Sequence, residues 1–438
     1  MPRRVYIETY GCQMNVADTE LMFGVLARAG YERTDAPADA DVMLVNTCAV
    51  RDNAEQRVVG RVGELQRHKR PGDVLGVVGC MAQRLGPQLL ESAPKVDLVA
   101  GPDAYRNLPE LLQESARGSR LADTEFRSWE HYEDVPPVRE PGPTQFVTVQ
   151  RGCDFRCTFC IVPYTRGPER SRKLSDVVRE VARLAEQGTT EVTLLGQTVN
   201  SYHDGEHDFA DLLRAVGAVN GIRRLRFTSP YPTAFTPRVI DAMATTPAVC
   251  EHVHLPCQSG SNAVLRRMLR RYTREQYLDV VRQLRAAIPG ITFSTDIIVG
   301  FPGETEAQFE ETLSLVTEAE LDDAYTFQFS PRDGTPATRM KEQADAATGA
   351  ERLGRLVALI REQRRARNLR RMGVEQEVLV ERPARRGDLM LGRTRTNLMV
   401  LLPLTPADIG RYVRARLTGC TGSTFTGTLV QERRLAVL

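Results

Sequence analysis

No run of about 18 consecutive apolar residues occurs in the 438-residue chain, so no membrane-spanning helix is expected. The opening residues, Met1-Pro2-Arg3-Arg4-Val5, lead straight into a strand-like pattern. They lack the apolar stretch and small-residue cleavage site of a secretory signal, so a cytoplasmic protein is expected. The glycine fingerprint of a dinucleotide-binding turn is missing as well. Cysteine numbers nine, an odd count that argues against a complete disulfide framework. In a long cytosolic chain thiols point to metal or catalysis instead. There is one tryptophan, Trp129, read as a packing anchor. Lysine is absent from Arg352 onward, where 18 Arg face seven acidic residues, a balance of +11. Residues 1–351 carry 40 basic against 49 acidic side chains, a balance of −9. An acidic body with a basic tail suggests that the tail meets a polyanion; solvated surface arginine is the competing reading.

What is present is an α/β pattern. In 1–118 apolar strands at Val5–Thr9, Asp41–Asn46, Val74–Val78 and Val96–Val99 alternate with helices near Asp18–Ala29 and 52–69. Near-continuous apolar strands suit a buried parallel sheet. Residues 119–144, with Pro136-Pro137 and Pro141-Gly142-Pro143, read as a linker. From 145 to 372 six β/α units follow, with strands near 146–150, 190–195, 223–228, 251–255, 291–299 and 323–329. They predict a partial (β/α)6 barrel, since the usual eight units need more chain. An Arg-rich helix, 351–371, closes this part. In 373–438 short strands at Val378–Glu381, Leu398–Leu402, Tyr412–Leu417 and Phe425–Val430 predict a small antiparallel β-barrel.

Cys153-Asp-Phe-Arg-Cys157-Thr-Phe-Cys160 puts three thiols within eight residues. A loop can aim all three at one iron–sulfur cube, leaving the fourth iron open for a ligand. Structural zinc would need a fourth Cys or His close by, and none follows. Other glycine or polar clusters also end strands: Gly196-Gln197, Ser229-Pro230, Gln258-Ser259-Gly260-Ser261 and Gly300-Phe-Pro-Gly-Glu304. On one rim of a parallel barrel they would face a ligand, although each alone is an ordinary turn. Cys12, Cys48 and Cys80 each follow a strand of the first segment, so the edge of a parallel sheet can gather them around a second cluster. Buried cysteine as a small hydrophobe is the alternative.

The cysteine spacing, with Phe159 before its last member, resembles the radical S-adenosylmethionine superfamily. Thr9-Tyr-Gly-Cys12-Gln-Met-Asn15, Asn46-Thr-Cys48-Ala-Val-Arg51 and Gly79-Cys80-Met-Ala-Gln83 resemble the first domain of methylthiotransferases. So do Cys157–Gly167, Leu194-Leu-Gly-Gln197, Gln258-Ser-Gly-Ser261 and Ile298–Glu304 in the second. Leu391-Gly-Arg-Thr394 and Asp408-Ile-Gly-Arg411 resemble a TRAM domain, a small RNA-binding barrel. Tyr10–Asn15 and Cys160–Gly167 are most similar to the branch that makes 2-methylthio-N6-isopentenyladenosine in tRNA. The sequence departs from the family at Cys257, where an aliphatic residue is usual, and at Thr421–Phe425.

The resemblance implies two 4Fe–4S clusters, an auxiliary one on Cys12, Cys48 and Cys80 and a radical one on Cys153, Cys157 and Cys160. It implies S-adenosylmethionine contacts at Phe159, Gly196, Gln197, Ser229, Gln258, Ser259, Gly300 and Glu304. One S-adenosylmethionine methylates a sulfide at the auxiliary cluster; another is cleaved to a radical that removes hydrogen from C2 of an adenine at position 37 of the tRNA anticodon loop. An inert C–H bond offers no acid or base handle, which is why a radical cofactor is required. A flavodoxin-like or ferredoxin-like electron donor, a sulfur donor and a monomer are further implications. Action on N6-threonylcarbamoyladenosine or on a ribosomal-protein aspartate stays open, as does an RNA-binding iron–sulfur sensor without radical chemistry.

Overall fold

The structure is a computed structural model that describes residues 2–49, 52–385 and 387–430, with 52–57 and 59 as backbone alone. Val50 and Arg51, at the end of the second cysteine motif, lie outside the described residues. The chain forms two compact units, one of residues 1–140, 146–180 and 195–197, the other of 141–145, 181–194 and 198–438.

The first unit is built on β1 (Arg4–Thr9), α1 (Gln13–Arg28), β2 (Glu32–Arg33), β3 (Val42–Thr47), α2 (Asp52–Leu65) and β4 (Val74–Gly79). It continues through α3 (Cys80–Leu85), α4 (Pro87–Ser92), β5 (Leu98–Ala100), α5 (Leu108–Ser115) and β6 (Leu121–Asp123). Its strands make one all-parallel sheet in the order β2-β1-β3-β4-β5-β6. Strands β3 and β4 are buried along their whole length, as continuous valine-rich runs require when helices cover both faces. One core joins Leu21, Met22 and Leu26 of α1 to Val42 and Leu44; the other joins Val58, Val62 and Leu65 of α2 to Val45 and Val77. The composition of 119–144 concealed a sixth strand, β6, and two core residues, Tyr132 and Val135. Trp129 is no packing anchor: it is 72% exposed. Then come β7 (Thr144–Thr148), whose first two residues count with the second unit, β8 (Gln150–Arg151), α6 (Val162–Arg166), β9 (Arg170–Ser171) and α7 (Leu174–Glu186), which belongs to the first unit as far as Glu180.

The second unit contains β10 (Glu191–Leu195), α8 (Phe209–Gly217), β11 (Arg224–Phe227), α9 (Pro237–Thr245), β12 (His252–His254), α10 (Asn262–Arg267) and α11 (Arg274–Ala287). Next are β13 (Thr292–Val299), α12 (Glu306–Glu318), β14 (Asp323–Gln328) and α13 (Ala346–Arg370). Strand β10 pairs parallel with β11, and β12, β13 and β14 pair parallel in that order. A parallel bridge from Leu225 to Val249 links the two sets. His252 and His254 both bond the Ser294 hydroxyl, at 3.1 and 2.9 Å, which satisfies them structurally.

The tail closes into a five-stranded barrel of β15 (Glu375–Pro383), β16 (Met390–Thr394), β17 (Met399–Leu402), β18 (Tyr412–Thr421) and β19 (Thr424–Leu429). It has one strand more than the sequence pattern shows, and β17 pairs parallel with β19. The extra strand β16 carries Gly392, where a Cβ would sit 2.5 Å from Val378 Cγ1.

Arg224 of β11 is fully buried and ties the barrel to the β/α core. It lies 3.0 Å from Glu377 and donates to Arg393 O at 2.7 Å. We expect Arg224→Met to destabilise the protein by roughly 3 kcal/mol, the low end for breaking a buried pair, because Glu377 keeps 39% side-chain exposure. Chemical denaturation followed by circular dichroism checks this; an unchanged midpoint would remove the anchoring role.

Candidate functional site

In a parallel sheet the strand ends share an edge, and the register sets Thr9 opposite Asn46 and Thr47 opposite Gly79. Cys12, Cys48 and Cys80 follow directly, so three thiols distant in sequence reach one edge. Cys48 and Cys80 are buried and Cys12 is exposed. The Cys12 thiol is pulled down to about 5, first by its hydrogen bond with Cys48, against burial, and then by the charge of Arg166. Burial pushes the Cys80 thiol up, and Arg166 opposes that.

Two asparagines hold this edge. Asn15 donates to Asn46 Oδ1 at 3.2 Å and to Thr47 O at 3.0 Å. Asn46 donates back to Asn15 O at 2.8 Å. Cys12 N–H and Sγ both lie 3.4 Å from Asn15 Oδ1. Gly79 has φ +94°, and a Cβ there would meet Asn46 Oδ1 at 2.5 Å, so only glycine lets β4 turn into Cys80 here.

The second set of thiols lies in the same unit. Strands β8 and β9 pair antiparallel and close the loop between them, with Cys153 N–H bonded to Gly167 O at 3.1 Å. Cys153 and Cys157 are buried, and Cys160 is partly exposed. Phe159 is half-buried. The loop docks on the first cysteine edge: Ile161 packs on Cys80 and Ala49. Three buried ion pairs pin it. Arg170 grips Asp103 with two bonds of 2.9 Å. Asp18 of α1 accepts from Arg151 at 3.0 Å and from Arg166 at 2.7 Å. Sequence reading missed Asp18, Asn15, Asn46, Arg151 and Arg166. Asp18 was read as the start of α1; it is fully buried in the second turn instead.

Gly196 is buried and Gln197 half-buried just after Leu195, whose carbonyl accepts from Val149 N–H. In the second unit Ser229, Gln258 and Gly300 follow β11, β12 and β13, at φ +58°, +63° and +68°. Left-handed backbone in non-glycine residues such as Ser229 and Gln258 is uncommon and collects at functional sites. Ser259 turns its hydroxyl to Thr312 at 3.3 Å. Glu304 accepts from Gly300 N–H at 2.7 Å and from Arg352 at 3.1 Å, with its second oxygen unpartnered. Burial pushes its carboxyl up despite these donors. Cys257 is a fully buried thiol raised to about 12 by burial, as an aliphatic substitute would be placed.

Among the described residues no three Cys, His, Asp or Glu side chains converge on the position of a single metal ion. A four-iron cube holds its thiolates on separate corners, so single-ion convergence is not its requirement. The chemistry of both donor sets, three thiols each, suits such a cube, and the buried Arg166 Nη1, without a hydrogen-bond partner, faces an anion readily.

Residues 4–101 match the Uncharacterized protein family UPF0004, 147–316 the Radical SAM superfamily, and 370–430 the TRAM domain. A Moorella thermoacetica protein named tRNA-2-methylthio-N(6)-dimethylallyladenosine synthase is 46% identical over 94% of this chain and 95% of its own. One of the same name from Geobacter sulfurreducens is 43% identical over 98% of both. The chain belongs to the tRNA-2-methylthio-N(6)-dimethylallyladenosine synthase family. Among solved structures it resembles the radical S-adenosylmethionine methyltransferase TsrM from Kitasatospora setae, with TM-score 0.59 and 16% identity over 77% of each chain. That likeness concerns the fold alone. Membership in the synthase family makes the chain a radical S-adenosylmethionine enzyme, with S-adenosylmethionine and a 4Fe–4S cluster implied by the superfamily. Among the described residues no helix is long and apolar enough to cross a membrane.

Proposed function

We propose that the chain attaches a methylthio group to C2 of N6-isopentenyladenosine, the dimethylallyl nucleoside of its relatives' name, at position 37 of tRNA. The observation that carries this reading is the pair of cysteine triads in one compact unit. Cys153, Cys157 and Cys160 hold the radical cluster; Cys12, Cys48 and Cys80 hold an auxiliary one. When bound, the clusters supply electron and sulfur chemistry at an unactivated C–H bond, which no side chain can offer. The protein's part is to orient and to exclude water. Asn15 and Asn46 fix the auxiliary edge, and the Arg170–Asp103 pair fixes the radical loop. Phe159, Gly196, Gln197, Ser229, Gln258 and Gly300 contact S-adenosylmethionine. Ser259 contributes through its backbone, since its hydroxyl is engaged by Thr312, and Glu304 holds the Gly300 turn. A single-stranded anticodon loop lets the target base splay into such a site. A flavodoxin-like or ferredoxin-like protein supplies electrons, a separate donor supplies sulfur, and the enzyme works as a cytoplasmic monomer.

Mass spectrometry of tRNA nucleosides after anaerobic turnover with reconstituted enzyme tests this. Isopentenyladenosine should gain the methylthio group. Product on threonylcarbamoyladenosine, or none while S-adenosylmethionine is cleaved, would overturn it.

The basic tail is less available to RNA than its charge suggests. Among the described residues ten of its arginines are paired with carboxylates: 352, 355, 364, 367, 371, 393, 395, 411, 414 and 416. Arg361 and Arg365, one turn apart on α13, are exposed and outside these pairs. Their joint replacement by alanine should flatten the plot of log tRNA affinity against log salt by roughly 1.5, two contacts at about 0.7 to 0.9 each. S-adenosylmethionine cleavage should not change. An unaltered slope would place the phosphates elsewhere.

A further inference from the structure

Arg166 sits on α6, just beyond the cysteines of the radical loop, yet it faces the other cysteines. Its helix packs on α3, which begins at Cys80, and the preceding Ile161 lies against Cys80 itself. The guanidinium is 3% exposed and is 2.7 Å from Asp18. Its Nη1 is buried with no acceptor.

Charge accounting makes this arrangement informative. Asp18 has one negative charge and two arginines, Arg151 at 3.0 Å and Arg166 at 2.7 Å. Two other buried acids lie nearby, and each has its own arginine: Asp103 is engaged by Arg170 and Glu130 by Arg106. A buried carboxylate with two guanidinium partners keeps a net positive charge in the interior, which is costly unless an anion stands beside it. A cluster held by three thiolates is such an anion, and hydrogen bonds to its sulfurs tune its potential.

We propose that Arg166 is a positioning residue for the auxiliary cluster, its Nη1 N–H donated to sulfur held at Cys12, Cys48 and Cys80. The inference rests on those cysteines being cluster ligands. It means that one loop serves both triads, carrying the ligands of one and the charge that balances the other. Asp18, 2.7 Å from Arg166, is the opposing charge.

The test uses full-length protein with Cys153, Cys157 and Cys160 replaced by alanine, which leaves the auxiliary site alone. The bond that closes the loop, Cys153 N–H to Gly167 O, is backbone and remains. Iron content of this background comes first: no iron there means that the ligand reading itself fails. With iron present, the midpoint potential is followed by electron paramagnetic resonance during a reductive titration. Arg166→Gln should make reduction at least tenfold less favourable, a fall of about 59 mV for one electron. Asp18→Asn should move the potential the opposite way. An iron-loaded Arg166→Gln protein with the parent's potential would overturn the proposal. Should Arg166→Gln not load iron, Asp18→Asn decides: a raised potential supports the proposal, and the parent's value overturns it. A purely structural ion pair would lower iron occupancy in both variants and move neither potential.

Discussion

Alanine at Cys12, Cys48 and Cys80 together is expected to abolish methylthio product while reductive formation of 5′-deoxyadenosine continues. The expectation follows from how the first unit is fastened. The three thiols end β1, β3 and β4, whereas the radical loop is closed by Cys153 N–H to Gly167 O and pinned by Arg170 on Asp103. None of those bonds uses the replaced side chains. Losing one sulfur at each of two buried positions removes little volume, and truncations that small cost about 1 kcal/mol, well inside the stability of a folded domain. Both products can be read from one anaerobic reaction by mass spectrometry. Methylthio product from this variant would take sulfur transfer away from the N-terminal edge.

The reverse substitution should have the larger chemical effect. With alanine at Cys153, Cys157 and Cys160, S-adenosylmethionine cleavage should fall to background and bound iron should halve. Adding the other three replacements should leave no iron. Cleavage would disappear because the iron that binds the sulfonium goes with its three ligands, whereas a cluster on Cys12, Cys48 and Cys80 would keep its own. Iron unchanged in the first variant would sink the assignment of that loop.

Most of this was readable in residue order because the two strongest signals are local. Val42–Val45 and Val74–Val78 announce buried parallel strands, and Cys153, Cys157 and Cys160 stand within eight residues. The arrangement around them was not readable, for a physical reason. Asp18 finds Arg151 and Arg166 more than 130 residues away. Nothing in its neighbourhood separates it from an ordinary N-cap. Helix α1 therefore starts at Gln13, five residues before the pattern suggested, with polar Asn15 and Asp18 buried in its first turns. Strand β16 escaped notice because Gly392 and Arg393 interrupt its apolar alternation; the narrow barrel interior demands that glycine. The tail's net charge was legible, but its availability was not, since pairing with carboxylates is decided by tertiary contact.

The docking of the radical loop on the first cysteine edge also sets a schedule for synthesis. Cys80 leaves the ribosome 86 residues before Arg166. At about 5 to 20 residues per second, the sheet carrying the first three thiols has roughly 4 to 17 seconds in which its edge lacks the loop that later covers it. During that interval Cys48 and Cys80 are open to iron delivery and equally open to oxidation. Afterwards Ile161 lies against Cys80 and Ala49. A cluster bound on Cys12, Cys48 and Cys80 would thus load most readily on the nascent chain, before Ile161 packs on Cys80.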